Sequence, residues 1–306
     1  MSAVSTAIVP IVLLLVLGLA LRRHVLTDST FWRGLESLTY FVFTPALFVH
    51  SLADVDLADM PVLPTAAAVI VPVVVMAGIL IACRRLLRLD GPALTSMIQG
   101  STRLNTYIGL SLAFALHGQG GVATFALAAA VMVPAVNIVS ITALSFFGTQ
   151  GGQTTGVHLV RALCTNPLVL GCIAGLLVNQ SDVRLPVFAA SVISMLAEPA
   201  LICGTLVAGA SMVVGLRRTD VPHIALASIL KLGVLPLAAV GIAAALGVRG
   251  VALDSVIIIC AVPTAPSAYI LAARMGGNTQ LMSSITAVQT LVAVVSLPLV
   301  LTALGS

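Results

Sequence analysis

Few side chains in this chain could do chemistry, and most of those lie inside apolar runs. Arg103 sits in "GSTRLNTYIGL" (100–110), followed by Asn105, Thr106 and Tyr107. A guanidinium at that depth costs at least ~2.5–3.5 kcal/mol on insertion scales. Its planar fork suits a carboxylate, to which it can donate two parallel hydrogen bonds. Arg103 therefore reads either as the positive edge of an anion site or as a strut that hydrogen-bonds carbonyls at a helix break. A second stretch, "ICAVPTAPSAYILAARMGG" (259–277), places Pro263 and Pro266 three residues apart, with Thr264, Ser267 and Tyr269 around them. Each proline lacks an N–H and clashes with the carbonyl four residues earlier, so two in one turn break a helix. The backbone groups so freed are tolerated in a membrane only against protein or a wet cavity.

Two more charges lie in apolar surroundings. Lys231 is the only lysine in the chain. It reads as a snorkelling side chain if it lies near a span end, or as an internal cation if it faces inward. Glu198 opens "EPAL" (198–201). A buried carboxylate could carry a proton during transport; pairing with a cation or capping the proline break is the simpler account. His50 and His117 fall near span ends and read as surface residues, while Asn137 and Gln289 read as inter-helix hydrogen bonders. No aspartate is expected deep in a span. No nucleophile–base constellation and no metal-ligand spacing is present, so neither an enzyme nor a metal site is expected. The five cysteines, Cys83, Cys164, Cys172, Cys203 and Cys260, form no Cys-x-x-Cys pair and read as small packing residues.

The elements that must hold these residues are membrane helices. Hydrophobic residues make up 59% of the 306 and charged residues 8%, with a mean hydropathy of +1.17. A soluble domain carries ~25% charged residues. The formal charge of +4 is spread as short clusters at the ends of apolar runs, which are topology signals rather than a nucleic-acid surface. Runs of ~20 apolar residues predict ten spans, near 5–22, 35–53, 63–83, 92–117, 121–147, 158–178, 187–213, 222–247, 251–275 and 279–304. The first has its basic flank, Arg22 and Arg23, after it and no cleavage site, so it reads as a retained helix. Polar or glycine-rich links are expected at 117–121 and 148–156, and an acidic loop at Asp54, Asp56 and Asp59.

One set of loops carries Arg22, Arg23, Arg33, Arg84, Arg85, Arg88, Arg217, Arg218 and Arg274, with Arg161 just inside the sixth span. The other set carries Arg184 and Arg249 and the acidic loop. The positive-inside rule puts the first set in the cytoplasm and both termini outside. A weak internal repeat joins the halves 1–150 and 151–306. "TPALFVHSL" (44–52) matches "EPALICGTL" (198–206), Pro10 and Gly18 match Pro167 and Gly175, and "ITAL" and "LTAL" end the fifth and tenth spans. Five spans per half require the second half to be inverted. Inverted repeats with interrupted helices mark secondary transporters with a site at the midplane. The expected fold is thus an all-α polytopic membrane protein of two inverted five-helix repeats, broken at spans four and nine.

The stretches "GLESLTYFVFTPALFVHSL" (34–52), "RLNTYIGL" (103–110) and "APSAYILAARMGGNTQLMSSITAVQTLVAVVSLPL" (265–299) resemble the auxin efflux carrier family, which includes plant carriers and bacterial permeases for malonate or malate. The resemblance runs over nearly the whole chain. It implies a fold like the bile-acid symporters, with a scaffold of helices near 5–22, 35–53, 158–178 and 187–213 and a transport domain near 63–147 and 222–304. It further implies a homodimer in a bacterial inner membrane and a substrate held where spans four and nine cross. Asn105 matches the family's site asparagine, whereas Leu104 stands where plant members have proline. The functional expectation is a carrier for small organic anions by alternating access, with Arg103, Asn105, Thr106, Tyr107, Pro263, Thr264, Pro266, Ser267 and Tyr269 as substrate-binding candidates. Glu198 and Lys231 are candidates for coupling or charge. No cofactor is expected, and the coupling ion, proton or sodium, is open. The competing expectation is a sodium- or proton-coupled cation exchanger of the same architecture, which usually needs a buried aspartate.

Overall fold

Backbone N–H and C=O groups inside hydrocarbon find no water, so a spanning chain of this composition satisfies them internally as helix. The computed structural model describes residues 3–53, 55, 61–149, 165–181, 185–212 and 217–305, and every regular element among them is helical. Asp54, Asp56, Asp59, Arg161, Cys164, Arg184 and the expected start of the sixth span lie outside the described residues.

In chain order the helices are α1 (Ala3–His24), α2 (Ser29–Leu38), α3 (Thr44–Ala53), α4 (Val62–Ala82), α5 (Gly91–Thr102), α6 (Thr106–Phe147) and α7 (Pro167–Gln180). They continue as α8 (Val187–Ala197), α9 (Pro199–Ala210), α10 (Val221–Ile229), α11 (Leu235–Ala245), α12 (Gly250–Ala261), α13 (Ser267–Met275) and α14 (Thr279–Leu304). Among the described residues six stretches are long and apolar enough to cross a membrane: Thr6–His24, Val62–Ala82, Gly91–Phe147, Val187–Ala210, Arg218–Ala245 and Thr279–Leu304. Pro167–Gln180 and Gly250–Ala261 are apolar but shorter.

The stretch Gly91–Phe147 has 57 residues. At ~1.5 Å per residue it would reach ~85 Å, far beyond a ~30 Å hydrocarbon core. It folds back at Gly118, whose φ of 59° and ψ of −144° leave the helical region. A side chain at Gly109 would strike the ring of Phe125, so the arms on either side of the bend lie against each other. The link expected at 117–121 is thus a single-residue reversal, and only glycine adopts that backbone freely. Widened π-turns join α2 to α3 (Thr39–Phe43) and α10 to α11 (Leu230–Val234). Each ends two residues before a proline, Pro45 or Pro236. The wider turn relieves the clash of the ring with the preceding carbonyls.

Two helix pairs pack through glycine. A side chain at Gly18 of α1 would strike the backbone of Leu206 in α9, and one at Gly209 of α9 would strike Leu15 of α1. Gly175 of α7 lies as closely against Phe48, Val49 and Leu52 of α3. In the sequence match Gly18 corresponds to Gly175 and Leu206 to Leu52, so exchanging the halves exchanges the two contacts. Small residues of this kind let membrane helices approach closely enough to pack by dispersion.

The arginine-bearing ends gather on one face. Asn278 N donates to the carbonyl of Pro92 (3.2 Å) and Thr149 N to that of Gly276 (2.9 Å), while Arg84 lies 5.3 Å from the ring centre of Phe147. Asp28 caps α2 there, accepting from Thr30 N at 2.8 Å. Those hydrogen bonds hold its carboxyl below the usual aspartate range. On the other face Ser51 Oγ donates to Gln119 (3.1 Å), and Asn179 donates to the carbonyls of Ala53 (3.0 Å) and Val55 (2.8 Å).

Candidate functional site

Both expected breaks are present, and they meet. α5 ends at Thr102, and Arg103 to Asn105 run extended before α6 begins at Thr106. α12 ends at Ala261, and α13 begins at Ser267 after Pro263 and Pro266. Asn105 N donates to the carbonyl of Pro263 at 2.8 Å, rather than back to the carbonyl four residues earlier. That bond, with Asn105 Oδ1 accepting from the N–H groups of Tyr107 (3.2 Å) and Ile108 (3.3 Å), ends one helix and starts the next. The break therefore needs no proline, and Leu104 is simply buried at it.

Gln289 of α14 joins the two breaks. Its Oε1 accepts from Thr264 N (3.0 Å), and its Nε2 donates to the carbonyls of Gly100 (2.7 Å) and Ala227 (3.3 Å). Thr264 Oγ1 donates to Gly100 as well, at 3.0 Å. Thr264, a substrate-binding candidate from its sequence position, is fully buried with its N–H and hydroxyl hydrogen both committed to protein. Gln289, expected only to tie helices together, is the residue that sequence reasoning undervalued.

Arg103 is half-buried and donates from Nη1 to Asn137 Oδ1 (2.9 Å) and from Nη2 to Ser267 Oγ (3.2 Å). Its Nε is sealed without a partner. Both partners are neutral, and among the described residues no carboxylate lies within 4.0 Å of it. Asn137 and Ser267 belong to different helices, so the guanidinium spans from the second arm of α6 to the start of α13. Tyr107 is half-buried with its ring against Gly204 of α9. Beside it Ser111 and Thr205 share a hydrogen bond of 2.9 Å.

Cavities open on either side of this level. One of about 510 Å³ lies toward the arginine face, lined by Arg22, Arg33, Glu36, Pro266, Tyr269 and Gln280 among others. Tyr269 is thus half-exposed in a vestibule, away from the contact between the breaks. The other, of about 810 Å³, includes His50, Ser111, Phe114, Gln119 and Glu198 in its walls.

Several single-residue expectations change. Glu198 is exposed to the larger cavity, makes no side-chain cap bond and has no cation within 4.0 Å among the described residues, so neither pairing nor capping describes it. His50 is half-buried in that cavity wall rather than on the surface. His117 is half-buried too, with Nε2 2.9 Å from Asp254 Oδ2, and Asp254 is buried in α12. Asp254 is thus buried against protein, but it pairs one turn from the N-terminal end of α12 rather than deep in the span or at a break. Lys231 is fully buried and does not snorkel; its Nζ donates to the carbonyl of Cys260 at 2.9 Å.

Residues 153–301 match the family described as Membrane transport protein. The match takes in Lys231, the break at Pro263 to Pro266 and Gln289, and it indicates a membrane transporter. The break at Arg103 lies before it. No curated protein matches the chain. With six helices among the described residues apolar and long enough to cross a bilayer, the chain is a multi-pass membrane protein.

Proposed function

We propose that this chain is a secondary carrier for small organic anions, chiefly carboxylates, working by alternating access. One observation carries the reading: Arg103 is a half-buried charge between two helix breaks, held by neutral Asn137 and Ser267 with no carboxylate within 4.0 Å among the described residues. Two hydrogen bonds to neutral groups orient the fork but leave its charge uncompensated. An anion arriving from a cavity supplies the missing charge, and the remaining donors of the guanidinium can hold it. Asn105, Thr106 and Ser267 are the neighbouring polar side chains best placed to complete the site. A cation exchanger would need a carboxylate at the breaks, and among the described residues Asp254 sits elsewhere, against His117.

The matched Gly18–Leu206 and Gly175–Leu52 contacts support two inverted five-helix halves. On that reading α1, α2–α3, α7 and α8–α9 form the scaffold and the remaining helices form the moving body. The two cavities are the vestibules on its two sides, and Tyr107 against Gly204 is a sliding contact between the bodies. The arginine face is cytoplasmic, both termini are outside, and the carrier is a homodimer through the scaffold in a bacterial inner membrane.

The experiment is uptake of radiolabelled mono- and dicarboxylates into proteoliposomes. Saturable flux above that of protein-free liposomes is expected for at least one of them. A protein that moves none at millimolar concentration contradicts the reading.

A further inference from the structure

The break in α12 releases specific carbonyls, and what satisfies them bears on ion coupling. Val262 N still donates to Ile258. The carbonyl of Ile259 has lost its partner, because Pro263 has no N–H. The carbonyl of Cys260 should accept from Thr264 N, but that N–H is turned to Gln289 Oε1 at 3.0 Å. Carbonyls at the C-terminal end of a half-helix carry the negative end of the helix dipole. In transporters built from broken helices such ends coordinate sodium or a proton. Here the group against the carbonyl of Cys260 is the ammonium of Lys231, at 2.9 Å with the side chain fully buried. Lys231 reaches it from the π-turn Leu230–Val234, which packs against α12, α14 and α5.

We propose that Lys231 is the resident cation of this broken helix, standing where a coupling sodium would otherwise bind. The Cys260 carbonyl, which an alkali cation would ligate, is thereby engaged by a covalently fixed charge that moves with the helix and never dissociates. Sodium then has no seat at the α12 break, and the carrier gains no driving force from a sodium gradient through it. Removing the ammonium uncovers the carbonyl of Cys260, next in the chain to that of Ile259, and leaves space where Nζ lay, so an alkali cation can enter. The flux part of this inference rests on the carrier reading; the binding part does not.

The test is thermal unfolding of the purified full-length protein in sodium chloride and in N-methylglucamine chloride at equal ionic strength. Wild type, Lys231→Ser, Lys231→Asn and Lys231→Met are compared. Wild type is expected to melt at the same temperature in both salts. Lys231→Ser and Lys231→Asn are expected to gain ~2–4 °C or more in sodium, as a cation bound only to the folded state requires, and Lys231→Met to gain nothing. Serine or asparagine variants that fold only in sodium give the same support. The proposal is overturned if sodium stabilises wild type, or if both polar variants behave alike in the two salts, whether folded or unfolded. Proteoliposome flux gives a second readout: carboxylate uptake by wild type stays unchanged when sodium is replaced, and a sodium requirement overturns the proposal. If no carboxylate is moved at all, the carrier reading fails while the melting comparison still decides the role of Lys231.

Discussion

Replacing Gln289 by leucine removes the side chain that joins the two breaks while nearly keeping its volume. Thr264 N loses its acceptor and has no water to turn to, since Thr264 is fully buried. An unsatisfied buried group costs about 1–3 kcal/mol. The carbonyl of Gly100 loses a 2.7 Å bond but keeps Thr264 Oγ1. Ala227 loses a 3.3 Å contact but still accepts from Leu230 N. Side-chain hydrogen bonds in membranes average ~0.6 kcal/mol and reach ~1.7. The total is about 2–4 kcal/mol. That corresponds to a fall in melting temperature of roughly 5–15 °C, scaling from values for 150–250-residue proteins. Thermal unfolding in detergent micelles measures it. A change within ~2 °C would refute the reasoning that Gln289 holds the breaks together.

Three further outcomes follow from the packing and the charge. Gly18→Val drives a side chain into the backbone of Leu206, so the variant should express as misfolded protein by size-exclusion profile. Gly34→Val, where nothing lies within 4 Å, should remain monodisperse. Asn137→Ala frees one arm of the guanidinium, which is held at 2.9 Å in wild type. Carboxylate KM should change several-fold with melting temperature nearly unaltered, and an unchanged KM would show that Asn137 does not position Arg103. On the proposed orientation, with the arginine face in the cytoplasm, a C-terminal alkaline phosphatase fusion should be active and a C-terminal green fluorescent protein fusion dark; the opposite pattern reverses the orientation.

Hydropathy made the helices legible and proline spacing the break at Pro263 to Pro266, since bilayer solvation and the missing N–H act locally along the chain. Arg103 and Asn105 could be singled out for the same reason: a polar cluster inside an apolar run is visible without a fold. Partners were another matter. Gln289 meets Thr264 across 25 residues and Gly100 across 189, and His117 meets Asp254 across 137. Nothing in a residue's own neighbourhood encodes such pairings. Leu104 could not predict a break because the break is made by a bond between Asn105 and Pro263, not by a ring. Lys231 stayed ambiguous because its apolar context fits a snorkelling end as well as a buried charge, and only the position of the Cys260 carbonyl separates them.

The central claim is that Arg103 is the charge that binds a carboxylate. Concentration-dependent carboxylate uptake by Arg103→Gln proteoliposomes, beside wild type and a matched melting curve, tests it most directly. Loss of hydrogen bonds to a charged partner, at about 1.5–3 kcal/mol, predicts a KM raised about 10- to 150-fold with the protein still folded. Uptake by folded Arg103→Gln with wild-type KM and rate would contradict the account.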